Sequence, residues 1–204
     1  MQISGALLIF VTTIATSLIA LFGAPRLLDR CLFRPHSFLR RRQYATVILS
    51  GFVHADLMHL LFNMMTFYFF SFDQGGQPGL ERRIGTINFV VLYFAGLLLS
   101  HLGTWYKHRN NLEYASLGAS GAISAILFAA IIYSPDQSLF ILPIPFPIPA
   151  PLFAIGYLAY TYYASKNQTG RINHDAHLGG ALTGLAWVAL TDPEQYPAFF
   201  NALF

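Results

Sequence analysis

Charge is scarce in this chain: only 10% of its 204 residues are Asp, Glu, Lys or Arg, and 55% are hydrophobic. A soluble domain carries about 25% charged residues. The composition therefore excludes an ordinary soluble fold and points to several membrane-spanning helices in one domain. Cysteine is scarcer still. Cys31 stands alone, which excludes an internal disulfide and a Cys-rich metal site. No basic stretch precedes the first apolar run, so that run is expected to be a retained span and not a cleaved signal peptide. No hydrophilic second domain, internal repeat or disordered tail interrupts residues 1–204. The net charge of +3 and pI near 9.1 could suggest nucleic acid. The basic residues sit in short loops, however, where contact with the lipid bilayer and membrane orientation are their expected uses.

Six apolar segments are present, at residues 3–23, 57–72, 87–106, 119–133, 152–164 and 176–190. The expected fold is all-α, a polytopic membrane bundle of six transmembrane helices. Several segments are shorter than the ~20 residues of a full span. Short helices must meet irregular chain inside the apolar layer, and such chain must be packed in protein or line a wet cavity. Residues 112–118 are a candidate for that dip. The first connection, residues 24–49, carries Arg26, Arg30, Arg34, Arg40, Arg41 and Arg42 and reads as a solvated interfacial loop. Pro143, Pro145, Pro147, Pro149 and Pro151 alternate with apolar residues. That spacing forbids helix and predicts an extended strut, with Pro151 opening the fifth helix.

Polar groups inside these segments carry the chemistry. The first charge after Ser120 is Asp136, sixteen positions on; the first after His177 is Asp192, fifteen on; the first after His59 is Asp73, fourteen on. In a six-span bundle the second, fourth and sixth helices run the same way. At ~1.5 Å per residue the three groups then lie at one depth, roughly 21–24 Å from one face of a ~30 Å apolar layer. Polar groups buried in lipid are costly and mark function. Asn63 lies four residues after His59 and shares its helix face.

Ser120 sits in Gly118-Ala119-Ser120-Gly121, where glycines allow a special turn and leave the hydroxyl uncrowded. A helix start adds unsatisfied N–H groups and a positive dipole end. His177 is followed by Gly180 and Gly184, small residues that let two membrane helices approach closely. The arrangement predicts acyl transfer. His177 takes the Ser120 proton, Ser120 attacks a peptide carbonyl, and His177 returns the proton to the leaving amine. His59, Asn63 and the Ser120 backbone N–H would stabilise the oxyanion. Asp175 points to another side of the helix, so a dyad is favoured over a triad.

Together these residues resemble the rhomboid family of intramembrane serine proteases. The carriers of the resemblance are the stretch His54-Ala55-Asp56-Leu57-Met58-His59-Leu60-Leu61-Phe62-Asn63-Met64, the segment Glu81-Arg82-Arg83-Ile84-Gly85, Gly118-Ala119-Ser120-Gly121, and Ala176-His177-Leu178-Gly179-Gly180 continuing to Gly184. They occur in the family's order across residues 51–187. The resemblance implies a six-helix bundle, a Ser120–His177 dyad, and an oxyanion and substrate site with His59, Asn63 and Gly118. His54, Gly121, Gly180 and Gly184 would support it. It also implies membrane-spanning substrates, single-span membrane proteins above all, and no metal or other cofactor. The expected location is a multi-pass integral position in a bacterial cytoplasmic membrane. Two departures stand out. A Trp-Arg pair common in the first loop is replaced by Ala45 and Thr46, and an aromatic common one turn after the nucleophile is replaced by Ser124. What then holds His177 is left open.

Loops one, three and five hold ten of the twelve Lys and Arg residues, including Lys107, Arg109, Lys166 and Arg171; Arg82 and Arg83 lie on the other side. The positive-inside rule would put the odd loops in the cytoplasm. The resemblance puts both termini there and is preferred, because the first-loop arginines can lie along an interfacial segment. The competing readings are a pseudoprotease that binds membrane segments without cutting, a metalloenzyme using His54, His59, His174 and His177, and a small transporter.

Overall fold

The computed structural model describes residues 4–141, 145–167 and 172–203; Ile3, Pro143 and Arg171 fall outside them. Six longer helices occupy the six apolar segments. They are α1 (Gly5–Leu18, continued by a π turn over Ile19–Gly23), α5 (Leu57–Ser71), α7 (Thr86–His108), α8 (Ser120–Tyr133), α9 (Ala150–Asn167) and α10 (His174–Thr191). Between them lie short helices: α2 (Arg26–Cys31), α3 (Pro35–Arg40), α4 (Thr46–Leu49) and α6 (Leu80–Ile84), with α11 (Tyr196–Asn201) after α10.

Length and composition alone identify fewer spans than the sequence suggested. Among the described residues, Gly5–Gly23 and Thr86–His108 are long and apolar enough to cross a membrane, with mean hydropathies of 2.3 and 1.6. Thr46–Phe52 and Leu57–Ser71 qualify only as a pair, bent by 89°. The others fall short for physical reasons. α8 has only 14 residues, α9 is rich in tyrosine, and α10 opens on His174 and Asp175 and is diluted by glycine. The exterior is nonetheless apolar, with Leu8, Phe22, Leu61, Ile87 and Leu152 exposed.

Side-chain caps fix where the key helices begin. The Asp56 carboxylate accepts the His59 N–H at 2.8 Å and starts α5. Asn173 accepts the Ala176 N–H at 3.1 Å and starts α10. Each satisfies a donor that the helix itself cannot. At α1, Ser4 caps Leu7, and Glu81 of α6 accepts from the Gly5 N–H at 2.6 Å and from the Ser4 hydroxyl.

α8 is the centre of the bundle. Residues 121–129 are buried without exception. Its contacts with α10 are backbone to backbone. A Cβ added at Gly180 would lie 2.0 Å from the Gly121 carbonyl oxygen, and one at Gly184 would lie 2.2 Å from the Ala125 oxygen. Both partners advance by four residues together, so α8 and α10 run parallel. α7 runs against α8: Gly96 meets Ala125, whereas Ser100, four residues later, meets Gly121. Small residues at these crossings let dispersion contacts form along the whole seam.

The first connection is more than a solvated loop. Its arginines face outward, apart from half-buried Arg34, but Cys31, Phe33 and Pro35 are buried. Phe33 exchanges two backbone hydrogen bonds with Ser116, both 3.0 Å, and packs edge-on against His101 at 4.4 Å. This ties residues 112–118 to the first connection. Of the described part of the proline-rich stretch, Ile148–Pro149 is extended and pairs antiparallel with Ser138–Leu139, whereas Pro145 and Phe146 form a bend. α9 starts at Ala150, so Pro151 is its second residue and not its first.

Candidate active site

Ser120 opens α8 and follows a strained turn. Gly118 has φ +112°, a conformation that costs an L side chain dearly. Its N–H donates to the Ser50 carbonyl at 2.8 Å. A Cβ at Gly118 would lie 2.6 Å from the His59 ring carbon Cε1 and 2.7 Å from Nε2. The turn before Ser120 is therefore pressed directly against the His59 imidazole. His54 packs edge-on against His59, with centroids 4.9 Å apart, and is itself fully buried with Nδ1 3.1 Å from the Ser17 hydroxyl. His54 is thus a wall behind His59.

Asn63 is buried one turn further along α5, and its Nδ2 donates to the His59 carbonyl at 3.0 Å. One of its two amide hydrogens is used within its own helix. Gly121 and Gly180 form the α8–α10 contact, one residue after Ser120 and three after His177. That contact sets the hydroxyl and the imidazole on adjacent parallel helices. Among the described residues no hydrogen bond yet joins Ser120 to His177. Such bonds are often long before substrate binds and tighten in the complex.

The residue that does bond His177 was not legible as a site residue. Tyr157 of α9 places its hydroxyl 3.1 Å from His177 Nδ1 and 3.1 Å from the Ser124 hydroxyl. The substitution of Ser124 for an aromatic was the one clue that another group must hold the imidazole. Asp175 is engaged elsewhere: its carboxylate meets Lys107 at 3.1 Å, His108 at 3.3 Å and the Ser165 hydroxyl at 2.5 Å. A cavity of about 200 Å³ lined by Lys107, His108, Tyr114, Asn173, His174 and Asp175 opens one helical turn before His177. Four of the histidines fall into two pairs, His54–His59 and His174–His177, the latter with centroids 6.0 Å apart. Among the described residues no group of three His, Cys, Asp or Glu side chains could hold a metal.

A family model described as the Rhomboid domain matches residues 41–193, most of the chain and every motif named above. The chain belongs to the rhomboid family. Similar rhomboids include RHOMBOID-like protein 12, mitochondrial, of Arabidopsis thaliana, 29% identical over 161 residues, covering 71% of this chain and 46% of that protein. Rhomboid protein 1, mitochondrial, of Saccharomyces cerevisiae is 27% identical over 176 residues, covering 83% and 49%. The rhomboid protein YdcA of Bacillus subtilis is 37% identical over 71 residues, covering 35% and 32%. The chain thus spans about half the length, or less, of these curated relatives. Rhomboid membership and the apolar helices make it an integral membrane protein. Two of these relatives are named as mitochondrial and one is bacterial, so the bacterial cytoplasmic membrane expected from the sequence gains no particular support.

Proposed function

We propose that this rhomboid is an intramembrane serine endopeptidase that crosses the bilayer with six helices and cleaves membrane-spanning segments of other proteins. The observation that carries this reading is the parallel, backbone-close seam of α8 and α10 at Gly121 and Gly180. It brings the helix that opens on Ser120 against the helix that carries His177 one turn before the crossing.

In this reading His177 Nε2 accepts the Ser120 proton as Oγ attacks the scissile carbonyl. The negative charge then develops on an oxygen facing the Ser120 N–H, His59 and the free amide hydrogen of Asn63. Donors fixed in advance stabilise that charge most where water is largely excluded. Collapse breaks the C–N bond, and His177 returns its proton to the leaving amine. Water then hydrolyses the acyl-enzyme with His177 again as base. Gly118 keeps the approach to Ser120 open, because any side chain there would collide with His59.

The test is co-expression with a panel of tagged single-span proteins. Wild type cleaves at least one, and Ser120→Ala and His177→Ala cleave none. A serine-directed fluorophosphonate labels wild type and not Ser120→Ala. Cleavage that survives Ser120→Ala refutes the nucleophile. A protein that neither cleaves nor labels is a binder of membrane segments and not a protease.

A further inference from the structure

The general base of a serine hydrolase needs one tautomer. Nε2 must be bare to accept the serine proton, so Nδ1 must carry hydrogen and something must accept it. Among the described residues no carboxylate bonds His177, and the nearest in sequence, Asp175, is held by Lys107, His108 and Ser165. We infer that Tyr157 of α9 is the positioning residue that fixes His177, with Ser124 completing a hydroxyl relay; this rests on the proteolytic reading above.

A base at Nε2 requires one proton arrangement of two contacts: His177 Nδ1–H donating to Tyr157 Oη, 3.1 Å away, and the Tyr157 hydroxyl donating to Ser124 Oγ, also 3.1 Å away. The phenol stays neutral and no proton leaves it. The Tyr157 and His177 rings are nearly coplanar in orientation, 11° apart, with centroids at 6.3 Å. The contact is therefore hydroxyl to ring nitrogen, not face to face. Tyr157 is itself held by Phe128 of α8 and Phe153 of α9, with centroids at 5.4 and 5.5 Å. Ser124 is 4% exposed, so its hydroxyl has little water to turn to. A large side chain at position 124 would fill the space into which the Tyr157 hydroxyl reaches. When His177 becomes an imidazolium, its bond to Tyr157 becomes charge-assisted and strengthens. The relay thus favours the transition state over the ground state, which is the condition for raising kcat without changing KM.

Beyond the Ser165 contacts with Lys107 and Asp175, α9 buries mostly small residues. Its buried residues are Ala150, Pro151, Ala154, Thr161 and Ala164, while Leu152, Ile155, Tyr160, Tyr162 and Tyr163 are exposed. The orientation of the base therefore depends on a helix that carries no other part of the dyad or the oxyanion site.

The experiment compares the full-length protein with Tyr157→Phe, Ser124→Ala and the double variant. Tyr157→Phe keeps the packed ring and removes only the hydroxyl. Hydrogen bonds to charged groups are worth about a 10- to 100-fold effect, so kcat and the rate of fluorophosphonate labelling are expected to fall by about that factor. KM and thermal stability in detergent stay close to wild type. The double variant is no slower than Tyr157→Phe, because the relay is already cut. In wild type, 15N NMR of labelled histidine shows His177 protonated at Nδ1, and Tyr157→Phe loses that preference. Wild-type kcat in Tyr157→Phe, or a wild-type His177 bare at Nδ1, overturns the inference. If wild type neither cleaves nor labels, the tautomer measurement still decides: a Tyr157-dependent Nδ1–H upholds the positioning role while the proteolytic reading fails.

Discussion

Gly180→Ala is the sharpest test of the seam on which the site depends. The added methyl would sit 2.0 Å from the Gly121 carbonyl oxygen and 2.8 Å from its carbonyl carbon. Neither atom belongs to a flexible side chain, so one helix must move by about 1 Å or more in an interior packed as densely as a crystal. Overpacking of this kind costs about 1–3 kcal/mol. The functional cost is larger than that figure implies. Gly121 adjoins Ser120, and Gly180 is one turn from His177, so the displacement falls on the two residues of the proposed dyad. A misplacement of ~1 Å can reduce rate about 100-fold. Cleavage of a tagged single-span substrate should therefore fall about 100-fold in Gly180→Ala while most of the protein still folds in detergent. Gly156→Ala on α9, where an added Cβ meets nothing within 4 Å, is the matched control and should retain full activity. Equal cleavage and equal melting temperatures for Gly180→Ala and wild type would refute the close parallel seam.

Three further outcomes follow from the same geometry. Gly118→Ala adds a left-handed backbone penalty and a methyl 2.6 Å from His59, so cleavage should fall at least 10-fold, read in the same assay, through loss of oxyanion stabilisation. Asp175→Asn removes the charge that joins α7, α9 and the start of α10 while leaving Lys107 behind; a loss of about 2 kcal/mol is expected from thermal unfolding in detergent. The Asp73 carboxyl, outside the bundle core, is held below its ordinary range by the Gly79 N–H and then by Arg82. A depressed folded-state pKa stabilises above the unfolded value of about 3.9 and is lost as pH falls through the folded value. Wild type should therefore lose more melting temperature than Asp73→Asn on acidification below about pH 4.

How much could be read in advance differs residue by residue. Gly118, Ser120 and Gly121 were legible because a turn and a helix start are local properties of four adjacent residues. Gly180 and Gly184 were legible because small residues four apart imply a close crossing, although their partners Gly121 and Ala125 required the folded bundle. Tyr157 was hidden for the same reason: which face of α9 meets α10 is a tertiary fact, and one tyrosine among many carries no mark. The first connection misled because its six arginines dominate its composition, while Cys31 and Phe33 turn inward between them. The alignment of six apolar segments with six long helices came from periodicity and length. Their span status did not, because polar openings and glycine lower the hydropathy of α10 below that of a lone membrane helix.

The burial of α8 on every side has a consequence for how the molecule meets bilayers of different thickness. Its 14 residues measure about 21 Å, well short of a ~30 Å hydrocarbon layer. A lipid-facing helix of that length would thin the membrane or drag its flanks inward. Residues 121–129 of α8 are all covered by protein, so hydrophobic mismatch should fall mainly on the outer helices. The serine is thereby insulated from the host membrane's dimensions, and acyl-chain length should govern how partner segments are presented to it more than where it stands.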